Sequence, residues 1–173
     1  MTWHLTIVRH GEASPARTPG GDASRVLTSR GRSDVRRVAE RWASKHGSAT
    51  RIWTSPLVRA VQTSELFSGG IGYAGTIEII DQLEPEARPS ELLIALEVNV
   101  DETGASVLVG HEPNVRVLTS MLLSGAFSEP FAPGMAVVVA LDGPLAPGAA
   151  RLVEVIRPSS LAPPGRPSEA FRW

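Results

Sequence analysis

His10 and His111 occupy matching settings in the chain. His10 closes the run Ile7-Val8-Arg9-His10-Gly11, and His111 closes Leu108-Val109-Gly110-His111-Glu112. Each histidine follows an apolar stretch of the kind that forms a buried strand, and each has a glycine beside it. Arg9 sits against His10, and Arg59 lies just after Ser55-Pro56 in a third segment. Guanidinium forks match the oxygens of a tetrahedral dianion and hold their charge at any ordinary pH. Glycines at positions 11 and 110 remove side chains where such an anion would approach backbone N–H groups. Two arginines and two imidazoles brought together would therefore make a site for a phosphate-like group.

The surrounding pattern supplies a way to bring them together. Residues 3–8 read as a strand, 11–25 as a loop broken by Pro15, Pro19, Gly20 and Gly21, and Thr28 as the cap of a helix to about Lys45. Val35, Val38, Ala39 and Trp42 give that helix one apolar stripe. A strand at 51–54 precedes a helix from Pro56 to about Phe67, and a strand at 76–80 precedes a short helix capped by Ser90 and ending near Leu96. Residues 105–109 are continuously apolar, as a buried parallel strand requires. Pro113 opens a helix with Val115, Leu118, Met121 and Leu122 inward, and 135–141 and 150–156 are two further strands. Alternating strands and helices predict a single α/β domain with a mostly parallel central sheet flanked by helices. In such sheets ligands bind at the carboxyl ends of the strands. Both histidines stand there, and Arg59 enters from a helix that starts there. Residues 1–157 form the expected domain, and 158–173 a Pro-rich tail.

Composition narrows the function classes. The net charge is −1 and the pI near 6.4, so no basic surplus points to nucleic acid or an anionic membrane. The absence of cysteine excludes disulfides, thiolate metal sites and cysteine nucleophiles. No apolar run approaches the roughly 20 residues that span a bilayer, and the N-terminus lacks the charged-then-apolar order of a signal peptide. The expected location is the cytoplasm. His4 reads as an ordinary strand residue and His46 as a cation at a helix C-terminus.

Four segments together resemble a known family. Leu5-Thr6-Ile7-Val8-Arg9-His10-Gly11-Glu12-Ala13, Leu27-Thr28-Ser29-Arg30-Gly31, Ser55-Pro56-Leu57-Val58-Arg59-Ala60-Val61-Gln62-Thr63 and Gly110-His111-Glu112-Pro113 follow the motifs and order of the histidine phosphatase superfamily. That superfamily includes the cofactor-dependent phosphoglycerate mutases. The short chain and the Gly-His-Glu-Pro form are most similar to the SixA-type phosphohistidine phosphatases. The resemblance implies a phosphoglycerate mutase-like fold and a phosphohistidine intermediate. His10 would be the nucleophile, and Arg9, Arg59 and His111 would hold the phosphoryl oxygens. Glu12 would orient the signature loop. For the general acid it offers Glu84, between the third and fourth elements, or Glu112, just after the second histidine. No metal or other cofactor is expected, since two arginines and an imidazolium can supply the charge. The partner would be a phosphorylated protein, such as a histidine phosphotransfer domain, or a small phosphomonoester. Mutases of the family generally carry longer insertions than this chain has room for. Two readings of other kinds remain: a metal hydrolase using His10, Glu12, His111 and Glu112, and a phosphate-binding module without turnover.

Overall fold

The computed structural model describes residues 1–17, 19–100 and 102–162. Six strands form one sheet: β1 (Trp3–Arg9), β2 (Arg51–Thr54), β3 (Ile77–Ile79), β4 (Ala105–Gly110), β5 (Ala136–Leu141) and β6 (Ala150–Ile156). Their order is β3-β2-β4-β1-β5-β6. Strands β3, β2, β4 and β1 run parallel, β5 runs antiparallel to β1, and β6 antiparallel to β5. The helices are α1 (Ser29–His46), α2 (Val58–Ile71), α3 (Pro89–Asn99) and α4 (Asn114–Leu122).

Side chains alternate across each strand, so β1 feeds two cores. Trp3, Leu5 and Ile7 join Trp53, Leu108 and the inner faces of α3 and α4. Val8 joins Ile52, Val107 and Val109 with the stripes of α1 and α2. Thr6 points to the second face too, where its hydroxyl accepts from the indole nitrogen of buried Trp42 at 2.8 Å. At roughly 1.5–3 kcal/mol per fully buried aliphatic side chain, these layers outweigh the surface ion pairs, each worth about 1 kcal/mol at most.

Several local expectations hold, and a few shift. Thr28 caps α1, accepting from the Gly31 amide at 3.0 Å. Helix α2 begins two residues after Pro56, because the Ser55 hydroxyl accepts from the Leu57 amide at 3.3 Å and sets a turn first. It also runs past Phe67 through two glycines to Ile71. Gly70 is needed there, since a Cβ would lie 2.6 Å from that of Ala39 on α1. Helix α3 begins at Pro89 rather than being capped by Ser90, because proline's fixed φ suits the first helical position. The expected tail divides: Pro158 is buried and Leu161 packs against the second core, while 163–173 lie outside the described residues. Among the described residues, no helix is long and apolar enough to cross a membrane.

Candidate active site

Neighbouring strands bring the two histidines to one edge. Thr54 is registered with Val109 across β2 and β4, and Gly110 with Arg9 across β4 and β1. The residues that follow, Ser55, His111 and His10, therefore stand in a row just beyond the carboxyl ends of the three strands. The His10 and His111 rings lie 5.0 Å apart at 54°. Because β5 is antiparallel, its first residues reach the same edge. Gly134 donates to the carbonyls of Arg9 and His10, at 3.2 and 3.0 Å.

His10 is buried and its tautomer is fixed. Its Nδ1 lies 2.8 Å from the Gly11 carbonyl, which can only accept, so Nδ1 carries the proton. The lone pair is then on Nε2, facing Arg59, whose Nε donates to it at 3.3 Å. Burial lowers the His10 pKa to about 4, and Arg59 and Arg9 push the same way against the Gly11 hydrogen bond. Burial, then His10 and Arg59, lowers that of His111 to about 3. Both rings are neutral at pH 7.

Arg59 is 3% exposed although it stands in the first turn of α2. The helix is stitched to the signature loop beside it. Thr63 accepts from the Gly11 amide at 3.0 Å and donates to the Arg59 carbonyl at 2.7 Å, and Gln62 accepts from the Leu27 amide at 2.8 Å. His111 is anchored through Nε2 to the Ser55 hydroxyl at 2.9 Å, and its Nδ1 is buried with no partner among the described residues. Arg9 gives Nη1 to the Phe131 carbonyl at 2.6 Å, while its Nε is likewise buried without a partner. Unpaired buried polar atoms are costly, and these two belong to His111 itself and to the residue preceding His10.

The other expected residues are placed as follows. Gly11 does not offer its amide to an anion, because Thr63 has taken it; a Cβ there would meet Val35 at 2.8 Å. Gly110 is likewise explained by packing, with Val115 and Leu83 at 3.1 and 3.3 Å from a Cβ. Close packing thus bears on both glycines, since a Cβ at either would press on its neighbours. Glu12 orients the loop, accepting from the Thr28 hydroxyl at 2.8 Å. Glu112 accepts from the Phe131 amide at 2.6 Å and from Arg116 at 3.4 Å, so both oxygens hold structure together. The Glu84 backbone is held near the second histidine, since the Asn114 amide group donates to the carbonyls of Glu84, Pro85 and Ala87. With Glu12 and Glu112 engaged and two guanidiniums beside the imidazoles, the geometry disfavours a cation centre. His46 ends α1 as expected and pairs with Glu154 at 3.0 Å.

Sequence reasoning missed Asp22 and Arg25. Asp22 opens a short 3-10 turn (Asp22–Ser24) in the loop before α1. Its carbonyl accepts from Arg59 Nη1 and its carboxylate from Nη2, both at 2.8 Å, and the carboxylate also meets Arg25 at 2.9 Å. Arg25 in turn holds the Ser14 carbonyl at 2.6 Å. Neither residue lies in a periodic segment, so the sequence carried no signal for them.

Residues 5–84 match the model of the histidine phosphatase superfamily (branch 1). Phosphohistidine phosphatase SixA of Escherichia coli (strain K12) is 30% identical over 137 residues, covering 79% of this chain and 84% of the relative. A solved SixA structure complexed with tungstate superposes with a TM-score of 0.80 at 24% identity, over 90% of this chain and 97% of that one. A phosphoglycerate mutase from Plasmodium falciparum superposes at 0.62 with 16% identity, over 100% and 99% of the two chains. The fold is thus phosphoglycerate mutase-like. With the motifs in order, the histidines paired across β1 and β4, and a SixA relative matched over most of both lengths, the chain belongs to the histidine phosphatase superfamily and is a phosphatase.

Proposed function

We propose that this phosphatase works through a phosphohistidine on His10 and removes phosphate from phosphohistidine on another protein. The observation that carries the mechanism is the tautomer lock: Gly11 holds Nδ1–H, so Nε2 presents its lone pair beside Arg59. Nε2 attacks phosphorus and the bond to the leaving nitrogen breaks, passing the electron pair to the leaving imidazole. The His10 ring becomes cationic, and Nδ1–H to the Gly11 carbonyl stabilises it. Water then attacks phosphorus, releasing inorganic phosphate and returning neutral His10. Dividing the transfer this way replaces one hard step by two easier ones. Arg9, Arg59 and His111 hold the phosphoryl oxygens, which suits a transition state that needs positioning and charge more than bond-making.

The chemistry of the leaving group supports the substrate class. Glu112 is committed to Phe131 and Arg116, which leaves Glu84 as the remaining candidate acid. A protonated imidazole leaves without a strong acid, whereas an alkoxide does not. The SixA name of the relative and the tungstate held by the solved SixA structure support the same reading. The cytoplasmic location expected from the sequence belongs to this proposal. On a phosphohistidine protein kcat/KM is expected to exceed that on every member of a phosphometabolite panel. A metabolite processed near ~10⁶ M⁻¹s⁻¹, within the usual enzyme range, with the phosphoprotein ignored, would overturn the assignment.

The pH dependence has a definite sign. His10 attacks only when neutral, so activity is present above its pKa and lost as pH falls through it. With that pKa at about 4, the acid limb of kcat/KM on an aryl phosphate should lie near pH 4. The profile must be corrected for the substrate's second ionisation near pH ~6. A limb left at the ordinary histidine value, about 6.5, would mean that His10 is not held neutral by burial.

A further inference from the structure

Arg59 turns both outer nitrogens of its fork toward Asp22. Nη2 meets one Asp22 carboxylate oxygen and Nη1 the Asp22 backbone carbonyl, so a single residue occupies both arms with oxygen acceptors where a phosphoryl oxygen pair would bind. We propose that Asp22 is a specificity-determining residue, an internal anion that a phosphoryl group must displace from Arg59 and that thereby excludes monoanions from the site. The inference rests on the site reading above but not on the identity of the phosphoprotein.

Three features support it. First, the contact can be exchanged. The Asp22 side chain is 54% exposed while that of Arg59 is 4% exposed, so the carboxylate reaches a buried cation from a solvent-facing position. The turn carrying it has no buried residues of its own and follows Gly20 and Gly21, both at positive φ. Second, Asp22 has somewhere to go. Arg25 already holds its other oxygen, so leaving Arg59 does not strand the carboxylate. Hydrogen bonds from both arginines keep Asp22 ionised, below the ordinary carboxylate range, so it is a full-strength competitor at neutral pH. Third, the exchange is favourable only for some ligands. A tethered carboxylate competes at an effective concentration in the millimolar range. A free carboxylate replaces it with like for like and gains nothing. A phosphoryl dianion brings a second charge and a third oxygen, and the Arg9 Nε–H donor and the His111 Nδ1 ring nitrogen are buried with no partner among the described residues. Their pairing is the surplus that drives Asp22 out.

The test is the sign of a binding change. Calorimetric titration with inorganic phosphate at ~0.15 M salt, where the Debye length is about 8 Å, reads affinity without turnover. Asp22→Asn, and Asp22→Ala as a second variant, are expected to bind phosphate at least threefold more tightly than the wild-type protein. Glu65→Gln, which removes an exposed charge from the same helix as Arg59, is expected to change affinity less than twofold. Unchanged or weaker binding in both Asp22 variants would mean that Asp22 is a strut orienting Arg59, and would overturn the proposal. Acetate decides the specificity half. It should compete with phosphate in Asp22→Asn and not in the wild type; failure to compete in the variant would show that monoanions are excluded for another reason. A wild-type protein that ignores phosphohistidine proteins would sink the substrate proposal and leave this measurement intact.

Discussion

Replacing His10 with alanine should lower kcat by roughly 10³-fold or more, because nucleophile and positioned cations act as one unit. The variant loses Nε2, the atom that takes up the phosphoryl group, and Arg59 loses the acceptor of its Nε–H. The loop itself should survive. The His10 amide donates to the Gly110 carbonyl and its carbonyl accepts from Gly134, both at 3.0 Å, and neither bond involves the side chain. Activity can therefore be compared at equal folded fraction, checked by circular dichroism. Rapid quench of the wild type should trap a phosphoenzyme that is acid-labile and alkali-stable, as phosphoramidates are, and the variant should yield none. A His10→Ala protein with most of its turnover would remove the basis of the mechanism.

Arg59→Lys is expected to cost about 2–4 kcal/mol of transition-state stabilisation, by analogy with lost oxyanion donors, or roughly 30- to 900-fold in kcat/KM at 1.36 kcal/mol per decade. The arginine does two jobs with one planar group. Nε addresses His10, and the two Nη atoms form the fork that Asp22 fills and a phosphoryl group would take. An ammonium is a single point and cannot hold both directions at once. The neighbours that tie α2 to the signature loop are separate residues, Gln62 and Thr63, so the melting temperature should change little. An unchanged kcat/KM would show that the fork does not touch the transferring group.

The sequence was most readable where one residue type has one physical use. Thr28 before an apolar periodic segment marks a helix start, and the structure puts the cap there. The uninterrupted run at 105–109 marks a strand covered on both faces, and β4 is one. Strand direction was less readable. Residues 136–141 are as apolar as β4 and as completely buried, yet β5 runs antiparallel. Burial on both faces sets composition, and composition carries no arrow. Within the site, the residues with strong local context, Arg9, His10, Arg59 and His111, were all singled out, and the structure gathers them. The packing at Gly11 was not readable: its amide is taken by Thr63 and the space beside it is used by Val35, which depends on a helix packed from elsewhere. Asp22 escaped notice because a lone acid among glycines, prolines and serines has no periodicity to betray it. Only the meeting with Arg59 gives it a role.

The central place of β1 also bears on when this protein can act. Its hydrogen-bonding partners are β4, beginning at Ala105, and β5, ending at Leu141. Every ladder that holds the first histidine thus closes over a long stretch of chain, and contacts between remote residues make for slow folding. His10 precedes both partner strands in the chain, so it has no rigid ledge beneath it until residues near 141 are in place. A half-made chain presents an imidazole and an arginine on a loose segment, which have little hold on a phosphoryl group. The site is complete only in a chain whose last inner strand lies beside the first.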